Sequence, residues 1–431
     1  MVLVTNSQIM ARIQEQNQTE HFLDAYGAET PEHPGIDRIV NLLASCDFEA
    51  SHLFSAPGRT ELGGNHTDHN LGKVLCAAVR EDTLAAVRKC SDGKVVVNSD
   101  GFDERFVVDI SDLRPRLTET GTTNALIRGV LAGIAESGGN LGGFSARITS
   151  NVGVGSGLSS SASFEVLIGT IINGLYNSNA FSAEKIAMIG QFSENTYFGK
   201  PCGLMDQTAS AVGGILKIDF ADPERLDIYK MEFNLAKTDY QLLVVNSGSS
   251  HADLTPAYAS IPAEMRLVAN ELGVSQLGEV SEADFLERMP EIRSKLGDRS
   301  VLRALHFFSE NTRVDQMVAA LESNDFSAFL TAVAASGASS QNLLQNAVPP
   351  GSAGREQGLA FALGVSQLFF EKSGRGVARV HGGGFAGTIQ AYIHKDDLDA
   401  YSTLMRDLFG EQAISMLQFR QNGAGQILAL E

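Results

Sequence analysis

The chain has 431 residues, 43% of them hydrophobic and 19% charged, a balance that supports a sizeable packed core and excludes a disordered chain. Its net charge of -18 argues against nucleic acid or an anionic membrane as partner, because both are held through basic patches. It does not exclude a phosphate ligand, which needs only local backbone donors, a metal ion and one or two cations.

The opening MVLVTNSQIMARIQEQNQTE lacks the basic start and long apolar run of a signal peptide. No later stretch is long and apolar enough to span a bilayer. Cys46, Cys76, Cys90 and Cys202 form no CxxC pair and no zinc spacing. Free thiols, a cytoplasmic location and a monomer are expected.

Residues 1–35 read as polar helix up to a break at His33-Pro34-Gly35, and IDRIVNLLASC then has helical apolar spacing. HLFSAPGR reads as a short strand running into a loop. VLCAAV, LAAVRK and VVVNS read as three strands, with Ser91-Asp92-Gly93 turning between the last two. TTNALIRGVLAGIAES is spaced as a helix, FSARITS as a strand, and FEVLIGTIINGLY as an apolar helix behind a glycine-serine run. YQLLVVNSG is a strand, helical segments fill roughly 257–340, and GVARVHGGG and GTIQAYIHK return to strand. This mixed order predicts an α+β fold with a boundary near 220–235, dividing a domain at 20–225 from one at 226–431.

Two stretches carry chemistry. Gly153-Val154-Gly155-Ser156-Gly157-Leu158-Ser159-Ser160-Ser161-Ala162-Ser163 combines tight-turning glycines with hydroxyls at the start of a helix. Such a turn presents backbone N–H groups and a positive dipole end to phosphate, and its hydroxyls suit Mg²⁺. It is neither a Walker A loop, lacking Gly-Lys-Ser/Thr, nor a dinucleotide fingerprint, since the third glycine falls at Leu158. The second stretch runs from Ala56 to His69, APGRTELGGNHTDH. Its cation, amide, imidazoles and carboxylates suit a pocket that hydrogen-bonds a polyol. A solvated polar loop is the competing reading. A metal site at His66, Asp68 and His69 lacks a distant partner cluster.

With SENTYFGKPCGLMDQTAS, NSGSSHADLTPAY and VHGGGFAGTIQAYI, these stretches resemble, in order from about residue 33 to 395, the galactokinases of the GHMP kinase superfamily. The resemblance implies a two-lobed fold, with an N-terminal lobe like domain 2 of ribosomal protein S5 and a ferredoxin-like C-terminal lobe. It implies ATP and Mg²⁺ as cofactors, a small sugar as substrate, and transfer to the C1 hydroxyl of galactose. Asp206 matches the family's catalytic aspartate and Arg59 the arginine beside it. Glu194 and Ser161 match the metal-holding pair, with Ser160 as the near alternative. Gly153, Gly155, Ser156, Gly157, Leu158, Ser159, Ser160, Ser161 and Ala162 match the ATP loop. Asn65, His66, Asp68, His69, Gly203 and Tyr258 fall at the sugar.

Three positions depart from the family pattern. Asn65 stands where the family has a glutamate that reaches the sugar's C6 end, His69 replaces a tyrosine, and Gly153 replaces a proline. The first two leave room for a C6-altered sugar such as galacturonate, which a glutamate would repel. A non-catalytic sugar and ATP sensor is the alternative from a different class.

Overall fold

The computed structural model describes residues 5–27, 33–153, 157–222, 225–249, 254–352, 354 and 356–430. Three short helices come first: α1 (Asn6–Glu15), α2 (Thr19–Tyr26) and α3 (Pro34–Ala44). Thr5 and Gln8 close a capping box on α1. The Pro34-Gly35 pair starts a helix instead of breaking one. His33 is the N-cap and Pro34 the first helical residue, where its missing N–H has no partner to lose. Ile9, Ile13, Phe22, Ile36 and Ile39 of these helices pack on Leu53, Leu84 and Ala86.

The first sheet contains β1 (His52–Gly63), β2 (Lys73–Cys90), β3 (Lys94–Ser99), β4 (Phe106–Asp109), β5 (Gly143–Ser150), β6 (Ile215–Asp219) and β7 (Asp227–Met231). Two sequence readings change here. VLCAAV and LAAVRK are one continuous strand, β2, which pairs with β6 along Lys73–Ala77 and with β5 along Thr83–Cys90. The supposed loop after HLFSAPGR is strand as well, so Thr60 and Glu61 follow Arg59 within β1. The β1–β2 register slips between Pro57 and Arg59, a bulge that bends the hairpin. Helices α4 (Thr123–Glu136), α5 (Ser160–Asn177), α6 (Ala183–Phe192) and α7 (Met205–Val212) cover this sheet. Ile127, Leu131, Val166, Ile168 and Ile171 form much of the core against Phe54, Val87 and Phe144.

The second sheet is antiparallel, with order β11-β8-β10-β9: β8 (Tyr240–Asn246), β9 (Val377–His381), β10 (Thr388–His394) and β11 (Ile414–Leu417). Helices α8 (Thr255–Glu271), α9 (Glu282–Leu296), α10 (Asp298–Glu322), α11 (Phe326–Ser339) and α12 (Gly358–Ser373) fall between β8 and β9, and α13 (Leu398–Phe409) falls between β10 and β11. That strand order and helix placement are the split β-α-β-β-α-β arrangement of ferredoxin-like lobes. Two strands cross the expected boundary at 225/226. β7 pairs with β6, and a last strand, β12 (Gly425–Ala429), pairs with β1, so the first lobe takes its edge strand from the far end of the sequence.

All four cysteines are free thiols. Among the described residues, no helix is long and apolar enough to cross a membrane.

Candidate active site

Arg59 projects from β1 and Asp206 from the first turn of α7, where Leu204 is the N-cap. The guanidinium grips the carboxylate with two bonds, Nε to Oδ1 at 2.6 Å and Nη2 to Oδ2 at 2.7 Å. Such a bidentate fork fixes orientation as well as charge. Its third nitrogen, Nη1, donates to the carbonyl of Gly157, and the Arg59 N–H donates to the Leu158 carbonyl. One residue therefore ties the Asp206 carboxylate to the glycine-serine turn. Ser159, the N-cap of α5, adopts a left-handed conformation at φ 62 and makes no side-chain cap. Its hydroxyl donates instead to Asp206 Oδ2 at 2.6 Å. Burial pushes the Asp206 pKa up, but the Arg59 charge and the bonds from Arg59 and Ser159 outweigh it. The carboxylate stays below its usual range and is ionised at neutral pH.

Gly157 has φ +77, and a Cβ there would lie 2.5 Å from Thr388 Oγ1 and 2.7 Å from His381 Nδ1. Only glycine lets this turn approach β9 and β10 so closely. The Leu158 and Ala162 side chains are buried, so these positions offer a nucleotide their backbone alone. Ser160 is the first residue of α5, and Gly153 precedes the turn. Gly155 and Ser156 lie outside the described residues.

Glu194 sits in a π-helical turn, Ser193–Phe198, that follows α6, a distortion frequent at functional sites. Its Oε1 accepts from Ser161 Oγ and from Lys200 Nζ, each at 3.2 Å, and its Oε2 accepts from Gln207 Nε2 at 3.0 Å. Gln207 also donates to Glu165 Oε2 at 3.1 Å. Burial, then the neighbouring Glu194 charge, raise the Glu165 carboxyl well above its usual range. The donor set fits Mg²⁺. One carboxylate and one hydroxyl are hard oxygens, and Mg²⁺ usually takes one or two such ligands plus phosphates and water. No group of three or more His, Cys, Asp or Glu side chains suited to a metal exists among the described residues, so His66, Asp68 and His69 do not form one.

Of the remaining predicted residues, Asn65, His66 and Tyr258 meet the glycine turn after β9. His66 Nε2 donates to the Gly383 carbonyl at 2.9 Å, and Tyr258 OH donates to the Gly384 carbonyl at 2.8 Å. Burial pushes the His66 imidazole down to about 3, so it is neutral. With Nε2 carrying the proton, Nδ1 is left as an acceptor. Asp68 packs on Gly203, where a Cβ would lie 1.7 Å from Asp68 Oδ2. Gly203 stands three positions before Asp206 in the sequence. His69 stacks beside His66 with centroids 6.3 Å apart, and its Nε2 is 3.9 Å from Asp68 Oδ1.

Asn65 is placed differently from its expected role. It is fully buried, at 0% exposure. Its Nδ2 donates to Glu61 at 3.2 Å and to the Gly382 carbonyl at 2.7 Å, and its Oδ1 accepts from Asn346 Nδ2 at 2.8 Å. The amide braces the loop that carries His66 and Asp68 from behind, its Nδ2 committed to Glu61 and Gly382.

Sequence reasoning missed this bracing layer. Glu61 is buried against Arg379, Thr60 bonds His381 at 3.0 Å and Gln390 at 2.8 Å, and His306 holds the Asn65 carbonyl at 2.8 Å. The only advance signal was a run of polar residues inside stretches that alternate like strand.

A glycine-serine turn at the start of α5, gripped by an arginine–aspartate pair and flanked by a buried glutamate, defines a small-molecule kinase of the GHMP class. The family model for the GHMP kinases N terminal domain matches residues 125–214, and that for the galactokinase galactose-binding signature matches residues 46–89. Galactokinase of Streptomyces coelicolor is 32% identical over 364 residues, covering 84% of this chain and 89% of that protein. Galactokinase of Actinobacillus pleuropneumoniae is 30% identical over 368 residues, covering 85% and 91%. The crystal structure of Lactococcus lactis galactokinase complexed with galactose superposes with a TM-score of 0.75 at 22% identity, covering 96% of this chain and 100% of that one. Methanococcus jannaschii mevalonate kinase superposes at 0.60 and 14% identity, covering 86% and 98%.

The chain belongs to the galactokinase family. It is a sugar kinase, using ATP to phosphorylate an alcohol group.

Proposed function

We propose that the acceptor is the C1 hydroxyl of galactose and that the products are galactose 1-phosphate and ADP. The observation that carries this reading is the Arg59–Asp206 pair, joined by two bonds at 2.6 and 2.7 Å beside Gly157. Asp206 is ionised and accepts the proton of the attacking hydroxyl. The hydroxyl oxygen bonds to the γ-phosphorus, the bond from that phosphorus to the bridging oxygen breaks, and ADP leaves. Arg59 offsets charge on the phosphoryl group while keeping Asp206 oriented. Ser161 and Glu194 would hold Mg²⁺, which would offset the negative charge of the phosphates. His66, Asp68 and Tyr258 read the ring hydroxyls, with Gly203 giving Asp68 the space to do so.

The C6-altered alternative loses one of its two grounds, Asn65 beside the sugar, because that amide is engaged by Glu61, Gly382 and Asn346. The sensor reading would need a broken site, whereas Arg59 is paired with Asp206 and Ser161 with Glu194. ADP release with galactose, with galacturonate and without sugar tests the assignment, with NMR locating the new phosphate. Galactose-dependent release and a C1 phosphate are expected. Faster turnover of galacturonate, or binding without turnover, would overturn it.

A further inference from the structure

We propose that the Lys200 ammonium is a resident stand-in for the divalent cation, holding its seat between Ser161 and Glu194 until the metal displaces it. This rests on the reading that those two residues hold the ion. Glu194 is 3% exposed on its side chain, and a buried carboxylate needs a counter-charge. Among the described residues, the side chains of Ser161, Gln207 and Lys200 donate to it, and of these only Lys200 carries a full charge. Arg59 is committed to Asp206 and Gly157. Without the ammonium, Glu194 would face the neighbouring Glu165 carboxyl with neutral donors alone.

The contact is built to be released. Lys200 Nζ lies 3.2 Å from Glu194 Oε1, longer than the usual charge-assisted range of about 2.7–2.9 Å. The side chain is 62% exposed, so its flexible stem can swing out without opening the core. Its backbone stays put, because the N–H groups of Gly199 and Lys200 both donate to the Glu194 carbonyl, at 3.0 and 3.1 Å. Only the side chain has to move. Ser161 and Lys200 meet on the same carboxylate oxygen, so an ion bridging Ser161 and Glu194 and the ammonium exclude each other. Once displaced, the ammonium remains beside the site, where arriving phosphate oxygens give it a new partner.

The test is Mn²⁺ binding to the full-length, nucleotide-free protein, read by electron paramagnetic resonance. Lys200→Met removes the competitor and should tighten Mn²⁺ binding about 2- to 5-fold, the range for one partly exposed ion pair. Lys200→Gln should do the same, and Lys200→Arg, which keeps a cation, should stay close to the parent. Unchanged or weaker Mn²⁺ binding in Lys200→Met and Lys200→Gln overturns the inference. Glu194→Gln separates the two levels. If it abolishes Mn²⁺ binding while the Lys200 variants change nothing, the seat is right and the stand-in is wrong. If Mn²⁺ still binds to Glu194→Gln, the metal assignment itself fails.

Discussion

Replacing Asp206 with asparagine isolates the proton-accepting role from the architecture around it. The amide is isosteric, and its oxygen still accepts one bond from Arg59, whose side chain is only 8% exposed. The lost item is the charge. Removing one member of a buried ion pair costs about 3–5 kcal/mol. Asp206 keeps 30% of its side chain in solvent, and one bond survives, so the loss here is on the order of 1–2 kcal/mol. That lowers the melting temperature by a few degrees and leaves the fold intact. Catalysis suffers far more. A general base contributes about 10²–10⁴-fold, or about 2.7–5.4 kcal/mol of barrier. Saturating ADP-release assays should therefore show kcat of Asp206→Asn down by two to four decades. Binding of a non-hydrolysable ATP analogue should hold within a few-fold. A folded variant that keeps kcat within tenfold of the parent would refute the role given to Asp206.

Gly203→Ala forces a methyl into Asp68, whose Oδ2 would lie 1.7 Å from it. It should raise the KM for galactose at least about tenfold with a smaller change in the KM for ATP, read in steady-state kinetics. Ser159→Ala removes the 2.6 Å bond to Asp206 and should cut kcat by roughly 10-fold, the worth of a bond to a charged group. His381 is 2% exposed and burial pushes it down to about 3, against about 6.5 when unfolded. A depressed pKa gives stability that is complete above pH 6.5 and is lost as pH falls towards 3. At pH 5 this one imidazole should cost about 2 kcal/mol. Urea midpoints at pH 7 and pH 5 should differ less in His381→Gln than in the parent.

The fold was largely legible because most elements have clean periodicity. VVVNS alternates as a strand should, and IDRIVNLLASC repeats as a helix. The failures cluster where polar residues are buried. Thr60 and Glu61 look like loop residues, yet they continue the strand that carries Arg59. Asp206, His381 and Arg379, the partners of Arg59, Thr60 and Glu61, stand 147, 321 and 318 positions away, and no local window shows them. Asn65 was misplaced for the same reason: whether an amide meets ligand or protein depends on Asn346 and Gly382, 281 and 317 positions distant. The Arg59–Asp206 pairing was foreseen through ordered motifs, not through periodicity. Gln207 and Lys200 stood inside a quoted stretch, but nothing in their spacing marked them as partners of Glu194.

Pairing of β12 with β1 has a consequence for how the molecule is made. Until residues 425–429 have left the ribosome, β1 presents an unpaired backbone edge along Leu53–Ser55. The early half of the polypeptide cannot seal itself during vectorial synthesis and must wait for β12. Open edges of this kind recruit other strands, so a nascent chain stalled before residue 425 is a form prone to aggregate.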